Sequence, residues 1–577
     1  MAAPMKLGEL LISKGMLTKE QFSIAMAQQS ITGNLLGDTL IKLGFVSSIE
    51  MAQALAEQAG IEFIDIRRWA IPEEVLQLVP RTMAENAEFI PLDLKDGVMS
   101  IGVMQPTNIH AIDTASHIGG KPPKVYMVDT VAFYEMMERA YFFLQHPIHL
   151  RIAAIIKDVK SGSALSGNTV SSMTELLLMD GIRRNATDIH ITPEHETMHV
   201  FCRIDGVLQH TYCLPKSLQN GIASRLKILA SLDIAEQRLP QDGSFSFPLM
   251  NNVYEMRLSV IPTIHGENIV MRILSGSSPL ISMTSLGFDG TDTGRLKSLF
   301  AKPHGLILVA GPTGSGKTTT LYSAIREINI LERNVLTVED PVEYKLSMIK
   351  QTQVSAKTGY DFARAGKSFM RQDPDAMLIG EIRDEETARM AIRASITGHL
   401  VLSTIHTNDA PTAIPRLLDL DVDRFLLSSA LLAIIAQRLV RKICPHCKQE
   451  HVYEPGQLEA MGFEGVGAVQ TTAPQAKSWH EPGQSAVGFK TSGAVRTPTF
   501  KGKGCNVCNQ TGYLGRTVIG EILVVNDEIK ELIYSGGSVH SIREAAIKHG
   551  MKTMRENGIR KVFEGIITFE EVLRVVG

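Results

Sequence analysis

The feature that most constrains the fold of this chain is the segment 311–318, which reads GPTGSGKT and matches the pattern G-x-x-x-x-G-K-[ST] in full. Such a loop needs a buried strand before it and a helix after it, and the apolar run 306–310 predicts that strand. Its glycines let backbone N–H groups turn toward a polyphosphate. The segment therefore predicts an α/β sheet with a nucleotide site formed by Gly311, Pro312, Thr313, Gly314, Ser315, Gly316, Lys317, Thr318 and Thr319.

Two side chains of this loop have distinct expected roles. Lys317 can neutralise the β- and γ-phosphates, and the Thr318 hydroxyl can hold Mg²⁺. A helix that begins near Thr318 adds partial positive charge at the same place.

Acidic and histidine side chains follow three further apolar runs. Glu339 and Asp340 follow the run in NVLTVEDPVEY at 334–344, and Glu381 follows the run at 376–379. His399 and His406 bracket the run in TGHLVLSTIHTND at 397–409. Because carboxyl ends of parallel strands meet at one sheet edge, these groups are candidates for activating water, holding Mg²⁺ or sensing the γ-phosphate. The residues alone do not decide whether Glu339 or Glu381 is the general base.

Two arginines lie on neighbouring predicted strands. In 253–260 apolar and polar residues alternate, which predicts a strand with Arg257 pointing away from the core. The following strand places Arg272 at the same depth of a plausible hairpin.

Four of the six cysteines lie in two C-x-x-C pairs, CPHC at 444–447 and CNVC at 505–508. This spacing predicts a tetrahedral zinc site made by Cys444, Cys447, Cys505 and Cys508. Disulfides are the alternative, which a reducing compartment disfavours. Residues 449–504 form a long insertion, rich in small residues over 465–500, that we expect to extrude as a mobile loop. We expect Cys202 and Cys213 to be core residues.

Length and charge exclude several classes of protein. A chain of 577 residues is long enough for about four domains. Its net charge of −3 and the absence of a long basic run argue against direct nucleic-acid binding. The start lacks the pattern of a signal peptide, and the longest apolar stretch, 425–436, is shorter than the ~20 residues that span a bilayer. We therefore expect a cytoplasmic protein that docks on a membrane partner.

An internal repeat marks the N-terminal region. KLGELLISKGML at 6–17 aligns with LLGDTLIKLGFV at 35–46, and Thr18 and Ser47 are equivalent helix N-caps. Each copy is predicted to be a short helix, a glycine break and a second helix.

The predicted organisation has seven parts. They are a helical repeat domain at 1–70, a small α/β domain at 71–145, a flexible linker at 146–170, a mixed α/β domain at 171–282, the nucleotide-binding α/β domain at 283–443, a Cys₄ subdomain at 444–515 and a helical region at 516–577.

From about residue 171 to the C-terminus, these motifs resemble the secretion ATPases that drive type IV pilus assembly and type II secretion. The Walker A loop is similar to 311–318, the aspartate box to TVEDPVEY, the Walker B to MLIGEIRD and the histidine box to 397–409. The resemblance implies a RecA-like P-loop ATPase core preceded by a PAS-like α/β domain, with ATP, Mg²⁺ and Zn²⁺ as cofactors. It also implies a homohexamer in which Arg257 and Arg272 act as arginine fingers, with Thr318 and Glu381 on Mg²⁺. In the family's scheme Glu339 activates water, although the roles of the two glutamates could be exchanged.

The N-terminal region resembles the domain of such ATPases that binds cyclic di-GMP through paired L-G-x-x-L-x-x-x-G motifs. Both copies are present, and the implied contacts are Lys6, Leu7, Gly8, Leu36 and Gly37. The family usually has arginine before the first Leu-Gly, where this chain has Lys6, with Leu35 in the second copy. Lysine keeps the charge but loses the bidentate fork. The alternative is a helical domain that only docks on the membrane platform.

The resemblance implies a cytoplasmic motor, peripheral at the inner membrane, that hydrolyses ATP and acts on a platform protein to extend a type IV pilus. Type II secretion through a pseudopilus is the alternative, because the motifs are shared. A retraction ATPase is disfavoured, since that class usually lacks the Cys₄ pairs and the N-terminal extension. A nucleotide- and zinc-binding scaffold with little turnover is the alternative from another class.

Overall fold

The computed structural model describes residues 7–67, 69–161, 167–275, 282–453, 457–463 and 499–577. They group into two compact units, of which the first contains residues 1–282 with Glu339–Gln353 and the second contains Met283–Val338 with Val354–Gly577. In these ranges, no helix is both long enough and apolar enough to cross a membrane.

The N-terminal repeat has the predicted pattern of paired helices. Thr18 and Ser47 each cap the second helix of their copy through a capping box. Gly15 and Gly44 form the breaks with φ of 66° and 74°, a region that favours glycine. The helices are α1 (Leu7–Ser13), α2 (Lys19–Thr32), α3 (Leu36–Lys42) and α4 (Ser48–Ala59).

A small α/β layer follows the repeat. The predicted hairpin pairs β2 with β3 in antiparallel fashion, and the other neighbours in the order β1-β4-β3-β2 are parallel. Phe89, Ile90 and Ile101 are fully buried and form its core. The elements are β1 (Glu62–Phe63), α5 (Glu73–Leu78), α6 (Arg81–Asn86), β2 (Phe89–Lys95), β3 (Val98–Val103), α7 (Ile109–Gly119), β4 (Lys124–Met127) and α8 (Thr130–Gln145).

The prediction of a flexible linker at 146–170 is wrong over most of that range. Helix α9 (Ile148–Lys160) and helix α10 (Gly167–Arg183) occupy it, and residues 162–166 lie outside the described residues. Ile148 and Ile152 of α9 are buried in the core of the following domain. The apolar stripe of α9 therefore makes it part of that domain.

The next domain is a six-stranded antiparallel sheet in the order β7-β6-β5-β10-β9-β8. Cys202 is buried as predicted, but the prediction for Cys213 is wrong, because it lies exposed on edge strand β7. The elements are β5 (Asp188–Pro193), β6 (Thr197–Ile204), β7 (Val207–Pro215), α11 (Gln219–Leu229), β8 (Gln241–Leu249), β9 (Asn252–Thr263) and β10 (Gly266–Ser275).

The remaining elements build the domain that carries the nucleotide loop. Its helices are α12 (Gly290–Phe300), α13 (Lys317–Glu327), α14 (Phe362–Phe369), α15 (Glu385–Ile396), α16 (Ala413–Leu418), α17 (Arg424–Ala430), α18 (Gln457–Ala460), α19 (Asp527–Ser535), α20 (Val539–Lys548), α21 (Met554–Phe563) and α22 (Phe569–Val576). Its strands are β11 (Gly305–Ala310), β12 (Val335–Glu339), β13 (Lys350–Gln353), β14 (Ala376–Ile379), β15 (Leu400–Ile405), β16 (Leu431–Ile443), β17 (Lys448–His451), β18 (Thr499–Gly502) and β19 (Tyr513–Val524).

The sheet that holds the loop has the order β13-β12-β14-β15-β11-β16-β19. Strands β12, β14, β15, β11 and β16 are parallel, so their carboxyl ends lie at one edge, while β19 is antiparallel to β16. This is the expected RecA-like α/β sheet. The prediction of a helical region from residue 516 needs correction, because β19 extends to Val524 and helices begin only at Asp527.

Strands β17 and β18 lie at the two ends of the insertion at 449–504. β17 pairs with β18 in antiparallel fashion. The predicted mobile loop falls mainly on residues 454–456 and 464–498, which lie outside the described residues.

Candidate active site

The nucleotide loop connects β11 to α13 at the carboxyl edge of the sheet, as predicted. Gly311, Gly314 and Gly316 have φ of 152°, 77° and 87°, values at which other residues are strained. A Cβ on Gly311 would lie 2.4 Å from Ser315 Oγ and 2.8 Å from the Gln437 carbonyl oxygen. The loop backbone can therefore take this path only with glycine at 311.

Lys317 is the first residue of α13, and its ammonium group reaches back over the loop. Its Nζ donates hydrogen bonds to the carbonyl oxygens of Gly311 (2.8 Å) and Pro312 (3.1 Å). Burial lowers the pKa of Lys317, and the Glu381 carboxylate opposes this shift. Of the other predicted contacts, Ser315 is buried, Thr319 and Gly316 are half-buried, and Pro312, Thr313, Gly314 and Thr318 are exposed. The loop thus presents an open concave backbone with a cation at its centre.

Gln437 on β16 is a supporting residue that the sequence did not reveal. Its side chain is fully buried. Its Nε2 donates to the Ser315 carbonyl (2.8 Å), and its Oε1 accepts from Thr320 Oγ1 (2.8 Å). Gln437 therefore ties the loop and the first turn of α13 to the neighbouring strand. Its position directly after the apolar run 431–436, within the same strand, was the available signal.

Glu381 and His406 follow β14 and β15, two adjacent parallel strands. His406 Nε2 lies 3.5 Å from Glu381 Oε2, and Glu381 also forms an ion pair with Arg383. Burial lowers the pKa of His406, Lys317 lowers it further, and Glu381 raises it. The structure thus brings Lys317, Glu381 and His406 close enough for their charges to interact. The carboxylate oxygens of Glu381 are suited to a hard cation such as Mg²⁺.

His399 lies at the opposite end of β15 from His406, and its catalytic role stays a prediction. It precedes β15, and its carbonyl oxygen accepts from the N–H of Gly305 (3.1 Å), the first residue of β11. Gly305 and the nucleotide loop lie at opposite ends of β11, roughly 17 Å apart at ~3.3 Å per residue. His399 Nδ1 instead lies 2.9 Å from the Ala394 carbonyl oxygen, a local contact that closes α15.

Glu339 is the last residue of β12 and is almost fully buried. Its Oε1 accepts a hydrogen bond from Gln351 Nε2 (3.1 Å) on β13. Nearby Glu343 has a raised pKa, because burial disfavours its charge and the Glu339 carboxylate repels it, while Arg257 and Arg272 oppose the shift. Glu343 therefore interacts electrostatically both with the two arginines and with the Glu339 carboxylate.

Arg257 and Arg272 are directly opposite each other on β9 and β10, which confirms the predicted hairpin. Arg257 is exposed, and Arg272 Nε donates to Asp188 Oδ1 (3.1 Å) on β5. Asp188 is a second supporting residue that was missed, and its only signal was its position in the strand ATDIHI. The pair presents two guanidinium groups on one face of the sheet.

The four predicted zinc ligands form one cluster. Their sulfur atoms all lie within 4.8 Å of one another. The measured Sγ–Sγ distances are 3.8 Å for Cys444–Cys505, 3.8 Å for Cys447–Cys508 and 3.6 Å for Cys505–Cys508. A tetrahedral Zn–S₄ centre with Zn–S of ~2.3 Å has S–S edges of ~3.8 Å, so the cluster fits this metal. No two of these sulfurs are bonded, which disfavours the disulfide alternative.

Packing explains the first of the two N-terminal motif glycines. A Cβ on Gly8 would lie 2.4 Å from the Phe22 ring, whereas one on Gly37 would lie 3.7 Å from Met51 Sδ, an ordinary contact with the equivalent residue of the second copy. Leu7 and Leu36 are half-buried, and Lys6 lies outside the described residues. These contacts neither require nor exclude a bound nucleotide.

The RecA-like sheet, the complete phosphate loop and the carboxylates at the sheet edge define a P-loop ATPase. The family described as Type II/IV secretion system protein matches residues 164–574, and the MshEN domain matches 59–142. The chain belongs to the Type II/IV secretion system protein family. The motif pairs at 7–44 lie before the MshEN match.

Known proteins similar to this chain include two curated relatives and one solved structure. The type IV pilus assembly ATPase PilB of Myxococcus xanthus is 37% identical over 98% of this chain and 98% of its own length. Type II secretion system protein E of Xanthomonas campestris is 34% identical over 100% of this chain and 99% of its own. The X-ray structure of the Legionella pneumophila ATPase DotB covers 70% of this chain and 94% of its own, with 19% identity and a TM-score of 0.48.

Proposed function

We propose that this chain is a motor ATPase that powers type IV pilus assembly. The observation that carries the proposal is the similarity to PilB of Myxococcus xanthus, which extends over 98% of both chains and so includes the N-terminal region. The phosphate loop, the carboxylates and the arginine pair support an active ATPase, because every residue that the family motifs require for hydrolysis is present in the sequence.

In the proposed reaction, ATP lies along the loop at 311–318, and backbone N–H groups of the loop bind its phosphates. Lys317 turns from the carbonyls of Gly311 and Pro312 to the β- and γ-phosphates. Thr318 and Glu381 hold Mg²⁺, and His406 senses the γ-phosphate beside Glu381. Glu339 accepts the proton of the attacking water, a role that a carboxylate can fill.

Arg257 and Arg272 supply positive charge to the transferring phosphoryl group. They lie on the domain that precedes the ATPase core, which makes them suited to completing a nucleotide site within a ring of six copies. Such arginines are worth on the order of 10³–10⁵ in rate in P-loop enzymes. Hydrolysis is thereby coupled to movement of one domain against another.

The metal and ligand assignments follow the same proposal. Zn²⁺ bound by the four cysteines cross-links the end of β16 to the loop before β19 and supports that part of the fold. Cyclic di-GMP binds the N-terminal repeat through Lys6, Leu7, Gly8, Leu36 and Gly37. The ring works in the cytoplasm against an inner-membrane platform protein and binds no nucleic acid directly.

A second candidate function is type II secretion, favoured by the 34% identity to protein E of Xanthomonas campestris over nearly the whole of both chains. Deletion of the gene in its host separates the two functions. Pilus assembly predicts the loss of surface filaments in electron micrographs with normal export of exoproteins. Intact filaments with exoproteins retained in the cell would contradict it and identify a secretion motor.

A further inference from the structure

The buried carboxylate of Glu339 is held by a side chain that the family motifs do not include. Gln351 Nε2 donates to Glu339 Oε1 at 3.1 Å and to the Tyr344 carbonyl oxygen at 3.0 Å. Gln351 Oε1 accepts from the Leu346 N–H at 2.6 Å. One amide therefore connects the end of β12, the loop that follows it and strand β13.

The direction of the Gln351 amide is determined by its partners. Its nitrogen faces two acceptors, the Glu339 carboxylate and the Tyr344 carbonyl, and its oxygen faces a backbone donor. A flipped amide would place oxygen against both acceptors and nitrogen against the donor, breaking three hydrogen bonds. The donor that meets Glu339 is therefore fixed in position.

The surrounding loop is anchored at further points. Gln353, on the same strand as Gln351, accepts from the Val342 N–H (3.3 Å). Ser347 Oγ donates to the Lys42 carbonyl oxygen (3.3 Å) at the end of α3. In these hydrogen bonds Gln353 and Ser347 contact backbone atoms, whereas the Gln351 amide reaches the Glu339 carboxylate itself.

We propose that Gln351 is the positioning residue for the general base, fixing the Glu339 carboxylate where it can accept a proton from the attacking water. This inference rests on the assignment of Glu339 in the proposed function. Loss of the Gln351 amide would remove one hydrogen-bond donor from this buried carboxylate and allow it other rotamers. Misplacement of a catalytic group by about 1 Å costs roughly 10²-fold in rate.

The experiment compares phosphate release and nucleotide affinity of the full-length zinc-loaded protein with Gln351→Met and Gln351→Glu. The glutamate variant keeps an acceptor for Leu346 but replaces the donor to Glu339 with oxygen. We expect both variants to lower kcat at least tenfold with KM and nucleotide Kd within twofold of wild type. Gln353→Met is the matched control, because it removes an amide from the same strand that serves the loop backbone instead of Glu339, and it should keep wild-type kcat.

A double-mutant cycle distinguishes positioning from a general structural effect. If Gln351 acts through Glu339, adding Gln351→Met to Glu339→Gln lowers the remaining single-turnover rate no further. An additive loss, or a wild-type kcat in both Gln351 variants, would overturn the inference while leaving the proposed function intact. Full activity of Glu339→Gln alone would instead remove the assignment of Glu339 on which the inference rests.

Discussion

Arg257 and Arg272 face each other across adjacent antiparallel strands, two like charges in directly opposed positions. Such pairs are destabilising in sheets unless they are compensated. Arg272 has Asp188 as a partner, and both arginines interact electrostatically with the Glu343 carboxylate. Both side chains are nevertheless exposed, an arrangement suited to binding an anionic ligand.

Replacement of Arg257 by alanine should lower ATPase activity with little change in the stability of the protein. We expect Arg257→Ala to lower kcat on the order of 10³-fold while the melting temperature stays close to that of wild type, because the mutation removes both the repulsion from Arg272 and the attraction to Glu343. Arg257→Lys should recover only part of the rate, since lysine lacks the planar fork. Phosphate release and thermal melting are measured in parallel, with Arg225→Ala on α11 as control. Unchanged kcat in Arg257→Ala would refute the finger assignment.

Gln437 should prove as important to the nucleotide loop as the loop's own residues. Gln437→Leu leaves the Ser315 carbonyl and the Thr320 hydroxyl without their buried partner, a loss of about 2–4 kcal/mol. We expect weaker ATP binding and a lower melting temperature in the same variant. Lys317→Ala should instead abolish hydrolysis with little change in stability. A Gln437→Leu variant with wild-type ATP affinity would show that the loop holds its shape unaided.

Much of this site could be predicted because its signals are local. The phosphate loop is contiguous, and the carboxylates at 339 and 381 follow apolar strands that end at one sheet edge. Gln437, Gln351 and Asp188 were missed because each acts on a residue of another element, a relationship that depends on how the elements pack and not on sequence spacing. The motif also did not separate His399 from His406, although the two lie seven positions apart and a strand of that length spans about 20 Å. Helix α9 was missed because the Ser- and Gly-rich residues that follow it are typical of a flexible linker. The apolar stripe of α9 itself indicates a packed helix.

The cysteine cluster should hold one Zn²⁺ per chain in protein purified under reducing conditions. Cys444→Ser should make the C-terminal region protease-sensitive or the protein insoluble, because structural zinc contributes on the order of 10 kcal/mol to its local fold. Metal content by mass spectrometry and limited proteolysis test this, with Cys213→Ser as the control that should retain full metal. Protein without stoichiometric metal, yet with a protease-resistant C-terminus, would remove the zinc assignment.

We expect acid to destabilise the C-terminal helix α22, because it protonates Glu571. Although burial opposes its ionisation, hydrogen bonds from Arg574 and Arg441 lower the pKa of Glu571 to about 2. Because the folded-state pKa lies below the unfolded value, the stabilisation is complete above about pH 4.5 and is lost as the pH falls toward 2. It amounts to about 3 kcal/mol at neutral pH.

Hydrogen exchange of α22 measures this contribution. Glu571→Gln should expose α22 to faster exchange than wild type at pH 7, and the difference should shrink at pH 3. Glu564→Gln, at an exposed ion pair, should behave as wild type at both values. A difference that stays constant between pH 7 and pH 3 would contradict the assigned ionisation.

The central claim is that ATP hydrolysis at this site drives pilus assembly, and complementation of a deletion strain tests it most directly. Wild-type and Glu339→Gln alleles are expressed at equal protein levels, and surface filaments are counted by electron microscopy. The account predicts that the wild-type allele restores filaments and that Glu339→Gln, although folded and able to bind ATP, restores none. Filaments at wild-type number in a Glu339→Gln strain whose protein releases no phosphate would contradict it.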